Sequence, residues 1–148
     1  MTDSYIWEKV TERFEKVVRK YDESMEEQTG EAHTSIIIKP NETNTRDESN
    51  LWFEIFPIHS RPYQQELGSC GRNRWLLGLH ININAPRASI IGTNGIDIAY
   101  DFIAANFKRG DIFDGIRVLQ QPNRSSARID DDTYSVPVTV MFQADLDN

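Results

Sequence analysis

GSCGRNRWLLGLHININ, residues 68–84, is the stretch whose reading decides the fold. From Trp75 onward it alternates. Trp75, Leu77, Leu79, Ile81 and Ile83 fall on one side; Leu76, Gly78, His80, Asn82 and Asn84 fall on the other. A period of two belongs to a strand with one buried face and one largely polar face. The first half of the stretch, rich in Gly and Arg, reads as a turn leading into that strand and as a candidate contact surface. The run is predicted to be the central strand of a small domain.

Toward the C-terminus, Ala85 to Asn94 reads as a linker, and Thr93 or Asn94 is placed to cap a helix. In that helix Ile96, Ala99, Ile103 and Phe107 recur at spacings of three and four. Lys108 and Arg109 are assigned to its last turn and Gly110 to its stop. IRVLQ, 116–120, is predicted as a strand and the polar run 122–132 as a turn region. Tyr134, Val136, Val138, Val140 and Phe142 then alternate with polar neighbours as a second strong strand. Pro137, lacking a ladder donor, suggests an edge position for it. The acidic tail ADLDN is expected to fray.

Toward the N-terminus, LWFEIFPI, 51–58, carries aromatics on both faces, so a central or doubly covered strand is predicted. His59 to Arg74 reads as a long connection, made basic by Arg61, Arg72 and Arg74. Asn41 to Asn50 reads as a loop and SIIIK, 35–39, as a short strand. Ile6, Val10, Phe14, Val17 and Tyr21 form the apolar stripe of an amphipathic helix that fades between Met25 and Gly30. The fold class is therefore α+β: one domain over 1–148, with a twisted, mainly antiparallel sheet of about five strands and two helices on one face.

The totals agree with a single core: 148 residues, 39% of them hydrophobic. With 16 Lys and Arg against 23 Asp and Glu, the net charge of −7 disfavours wrapping nucleic acid, which needs clustered cations. One cysteine, Cys70, permits no intrachain disulfide and fits a reducing compartment. No basic leader with an apolar block opens the sequence, and no apolar run nears the roughly 20 residues that cross a bilayer.

No chemistry is legible. His33, His59 and His80 are not at metal-ligand spacing, and Gly68-x-x-Gly71 precedes a strand rather than a helix, unlike a phosphate loop. Asp130, Asp131 and Asp132 read as a solvated acidic turn. No catalytic residue, metal or cofactor is expected. What remains is an interaction protein in which Arg61, Arg72 and Arg74 of one copy meet Asp130, Asp131 and Asp132 of the next.

The order of these segments resembles the small tail terminator proteins of tailed bacteriophages. The resemblance is carried by Gln65-Glu66-Leu67-Gly68, Gly71-Arg72-Asn73-Arg74, and Gly78-Leu79-His80-Ile81-Asn82-Ile83. It continues through Gly95-Ile96-Asp97-Ile98-Ala99, Asn106-Phe107-Lys108-Arg109-Gly110, and Tyr134-Ser135-Val136-Pro137-Val138-Thr139-Val140. It covers most of the chain from Leu51 onward. The long Asn41–Asn50 loop and Cys70 within the glycine turn depart from the pattern.

The resemblance implies a virion protein made in a bacterial cytoplasm. It implies a homo-oligomeric, hexameric ring at the head-proximal end of the tail tube, ending tube polymerisation and presenting a surface to the head. The implied partners are the major tail tube protein and a head-completion or connector protein. The resemblance further implies that DNA passes through the lumen without specific binding and that no membrane partner is needed. The alternatives are another neck adaptor of the head–tail joint, or a small ligand-binding or enzymatic domain using His80 and Cys70.

Overall fold

The computed structural model describes residues 3–30, 34–40, 51–59, 63–64, 72–86, 92–129 and 133–147. Helix α1 spans Asp3–Thr29 and helix α2 spans Gly92–Asn106. The strands are β1 (Ile36–Ile38), β2 (Trp52–His59), β3 (Tyr63–Gln64), β4 (Arg72–Pro86), β5 (Ile112–Phe113), β6 (Ile116–Val118), β7 (Asn123–Arg124), β8 (Arg128–Ile129) and β9 (Thr133–Asp147). They form one sheet in the order β1-β2-β4-β9-β6-β5, with β3 added to β4, and β7 and β8 added to β9. The α+β class stands. Every pairing is antiparallel except β1 with β2, which is parallel, so the sheet is mixed.

The predicted central strand is central. β4 is paired along its whole length with β9, from Arg72 opposite Asp147 to Pro86 opposite Thr133, and β2 flanks its other side. Leu77, Leu79, Ile81 and Ile83 of β4 and Val136, Val138, Val140 and Phe142 of β9 are completely buried. Burying each such side chain is worth roughly 1.5–3 kcal/mol, so this one face is the main source of stability. The cover is α1, through Ile6, Val10, Phe14, Val17, Tyr21 and Met25, and α2, through Ile96, Ala99, Ile103 and the following Phe107. Phe53 of β2 locks α1 down, its ring edge-on to Phe14 at 5.7 Å and to Tyr21 at 6.3 Å.

α1 runs past Met25 to Thr29 because Met25 continues the stripe into the core. Gly30 then takes a φ of +73° and donates its amide to the Glu26 carbonyl, closing the helix without a Cβ penalty. Asp22 ties this end to the sheet: its carboxylate accepts from the Ser35 amide at 3.0 Å and the Ser35 hydroxyl at 2.6 Å.

Several expectations are corrected. The tail does not fray: β9 continues to Asp147, because β4 already extends back to Arg72 and offers it a ladder. Pro137 is not at an edge. A residue's N and O face the same side of a strand, and the Pro137 carbonyl accepts from the Ser125 amide at 2.9 Å. The missing donor therefore faces the gap between β7 and β8, where no ladder bond is required, and Pro137 itself lies opposite Asn82.

α2 opens at Gly92, ahead of Thr93 and Asn94, and stops at Asn106. Lys108 and Arg109 lie beyond its last turn, and Gly110 shapes the next turn with a φ of +89°. The cation at this helix end comes instead from α1, where Arg13 donates from Nε and Nη2 to the Asn106 carbonyl at 3.0 and 2.8 Å. The predicted strand 116–120 shrinks to Ile116–Val118 and gains β5 as a hairpin partner. Asp114 and Gly115, at φ 50° and 79°, form the two-residue turn that such a hairpin favours. The connection 59–74 holds β3 and the start of β4.

Tyr21 supplies a pH test of this packing. Burial first, with Asp22 second, raises its phenol above the ordinary 10.0. The native state then keeps a proton that the unfolded chain releases above about pH 10, so stability is full below that point and falls as pH rises. Urea midpoints at about pH 9 and about pH 11 should differ more for the wild type than for Tyr21→Phe, by at most ~1.4 kcal/mol per pH unit. Equal shifts in the two proteins would show that Tyr21 is not the group responsible.

Candidate interaction surface

The sheet face turned away from the helices is organised in rows set by the register. Ile58, Gly78 and Met141 share one row, and Phe56, His80 and Thr139 the next. Glu54, Asn82 and Pro137 follow, then Trp52, Asn84 and Ser135. The face divides into two halves of different chemistry.

The polar half is a connected ladder. Asn84, only 3% exposed, donates from Nδ2 to Glu54 Oε1 at 2.9 Å and to the Asn82 carbonyl at 3.3 Å. Its Oδ1 accepts from the Ser135 hydroxyl at 2.5 Å. His80 bridges outward, with Nε2 3.2 Å from Asn82 Oδ1 and Nδ1 3.4 Å from Thr139 Oγ1. A buried amide with its donor and acceptor both engaged fixes β2, β4 and β9 against one another rather than offering a reactive group. His80 is thus a sheet histidine, with Phe56 against its ring at 6.3 Å.

The apolar half is built on Gly78. A Cβ there would stand 2.8 Å from both Ile58 Cβ and Met141 Sδ, so the glycine lets these side chains close over the strand. Phe56 and Ile58 remain 40% and 39% exposed, on the part of β2 that runs past its pairing with β1. Among the β2, β4 and β9 residues of these four rows, the only Asp, Glu, Lys or Arg is Glu54, which Asn84 already engages. Gly78→Ala should cost about 1–2 kcal/mol, because Ile58 Cβ is tied to the backbone and cannot retreat as Met141 can. Thermal unfolding measures it; an unchanged melting temperature would mean the face is looser than its spacing implies.

The residues proposed from sequence are not assembled here. Arg61, Asp130, Asp131 and Asp132 lie outside the described residues. Arg72 and Arg74 lie within β4, not in a turn, and the register sets them opposite Asp147 and Asp145 of the same chain. The open face was missed, although Phe56 and Ile58 share the alternation of Glu54 on β2 and so marked a second apolar surface.

No known family's sequence pattern matches the chain, and no curated protein matches it. Among solved structures, one aligns over 99% of this chain and 96% of its own, with a TM-score of 0.60 and 15% identity. The chain is similar to that protein in fold. Among the described residues, no helix is long and apolar enough to cross a membrane.

Proposed function

We propose that this chain is a structural subunit of the tail-terminator type. Copies of it form a hexameric ring on the head-proximal end of a phage tail tube, stop its growth, and present a docking surface to the head. The observation that carries the reading is the order of the glycine, basic and alternating segments from Gln65–Gly68 through Tyr134–Val140. A sheet with two helices on one face agrees with the α+β fold expected from those segments. The open face supports a role in contact, because it joins a rigid polar ladder to exposed apolar side chains.

The work in this reading is done by shape, with no reaction. A capping ring needs one surface that fits the tube and another that does not propagate it. The net charge of −7 suits a channel through which DNA moves without adhering. The test is to assemble particles without the chain and view them by electron microscopy. Overlong or headless tails are expected; tails of normal length joined to heads would overturn the proposal.

A further inference from the structure

We propose that the outer edge of β2 is a latent site for strand addition between copies of this chain, and that Pro57 keeps it shut. This holds whether or not the chain forms a ring.

The edge is open by register. β1 pairs with β2 only from Trp52 to Glu54 and ends at Ile38, with Pro40 two residues beyond. From Ile55 to His59, β4 is the only strand paired with β2 among the described residues. An unpaired edge is a template on which another extended chain can add.

The direction of each backbone group follows from the ladder. The carbonyls of Pro137 and Met141 accept from the amides of Ser125 and Leu119, so the odd-numbered residues of β9 turn N and O away from β4. Backbone groups alternate in direction along a strand, and the register runs unbroken from β9 through β4 to β2. The even-numbered residues of β2 therefore address β4, and Ile55, Pro57 and His59 address the outer edge. Pro57 stands where the fold needs no donor and an added strand would.

The segment around it is otherwise suited to pairing. Ile55, Phe56 and Ile58 favour strands and carry no charge, and Phe56 and Ile58 are exposed. Short runs of this kind pair edge to edge unless a proline or a charge interrupts them. Glu54, the one Asp, Glu, Lys or Arg on β2, is held by Asn84, which leaves the interruption to Pro57.

Sedimentation velocity with residue-resolved amide exchange on the full chain tests this. Pro57→Val restores one outward donor per chain. An antiparallel pair of β2 edges uses both donors, each worth about fivefold, so the variant should associate about 25-fold more tightly than the wild type. It should sediment as species heavier than those of the wild type at the same concentration. The amide at position 57 should exchange fast in the dilute sample and slowly in the concentrated one. Adding Phe56→Lys places a charge beside the same edge and should return the mass to that of the wild type. Pro57→Ala supplies the same donor with a smaller side chain, and circular dichroism checks the fold of each variant.

A folded Pro57→Val or Pro57→Ala variant that sediments as the wild type does would overturn the proposal. So would heavier species that survive Phe56→Lys, or in which the position-57 amide exchanges equally fast at both concentrations. Loss of the fold in both single variants would show that the fold itself requires Pro57, and would overturn it as well.

Discussion

Phe107→Ala should be the most damaging single truncation among those considered, costing about 3–5 kcal/mol. Phe107 follows α2 directly and is completely buried. Its ring stands edge-on to Phe142 of β9 at 5.6 Å and to Phe113 of β5 at 6.3 Å, while Phe113 and Phe142 close the triangle at 5.9 Å. The Arg13 guanidinium lies 5.6 Å from the same ring. Truncation therefore opens a cavity where α1, α2, the β5–β6 hairpin and β9 meet, and four elements cannot all move in to fill it. Much of a domain's total stability would be lost, since that total is only about 5–15 kcal/mol. Chemical denaturation measures it directly; a loss below about 1 kcal/mol would mean that the cluster repacks freely.

Arg13→Ala is expected to cost about 3 kcal/mol, from two contributions that overlap. The fork of Nε and Nη2 satisfies the Asn106 carbonyl at the negative end of α2, where the last carbonyls lack partners within the helix. The planar cation also lies 4.5 Å from the centre of the Phe113 ring. Asp111, at 3.8 Å and part-exposed, adds little. Arg13→Lys should recover less than half of the loss, because a point charge cannot make both bonds and stack as well. A double-mutant cycle with Phe107→Ala should show coupling of about 0.5–1.5 kcal/mol. Strict additivity would mean that arginine and ring act independently.

What could be read from the residues was whatever repeats. The stripe from Ile6 to Tyr21 and the alternations of Leu77–Ile83 and Val136–Phe142 each hold over many residues, so the two helices, the two long strands and their buried faces were legible. β3, β5, β7 and β8 were not, because two residues carry no period; β9 or β4 templates three of them. The β5–β6 hairpin did leave a signal, Asp114-Gly115 between Phe113 and Ile116.

Pro137 was misplaced because a proline shows that a donor is missing, not which neighbour would have needed it. The cation at the end of α2 was sought at Lys108 and Arg109, next in sequence, whereas Arg13 arrives from a distant element. The candidate contact was sought where charge clusters. Charge is conspicuous in a sequence, while the rows that bring Ile58, Gly78 and Met141 together appear only once β2, β4 and β9 lie side by side.

The most direct test of the capping role is the length of tail tubes polymerised in vitro from their own tube subunits, with and without this chain, viewed by electron microscopy. Added chain should appear as a ring on one end of each tube and hold tube lengths to a limit. Tubes that grow to the same lengths in its presence, with bare ends and no chain retained on them, would contradict the account.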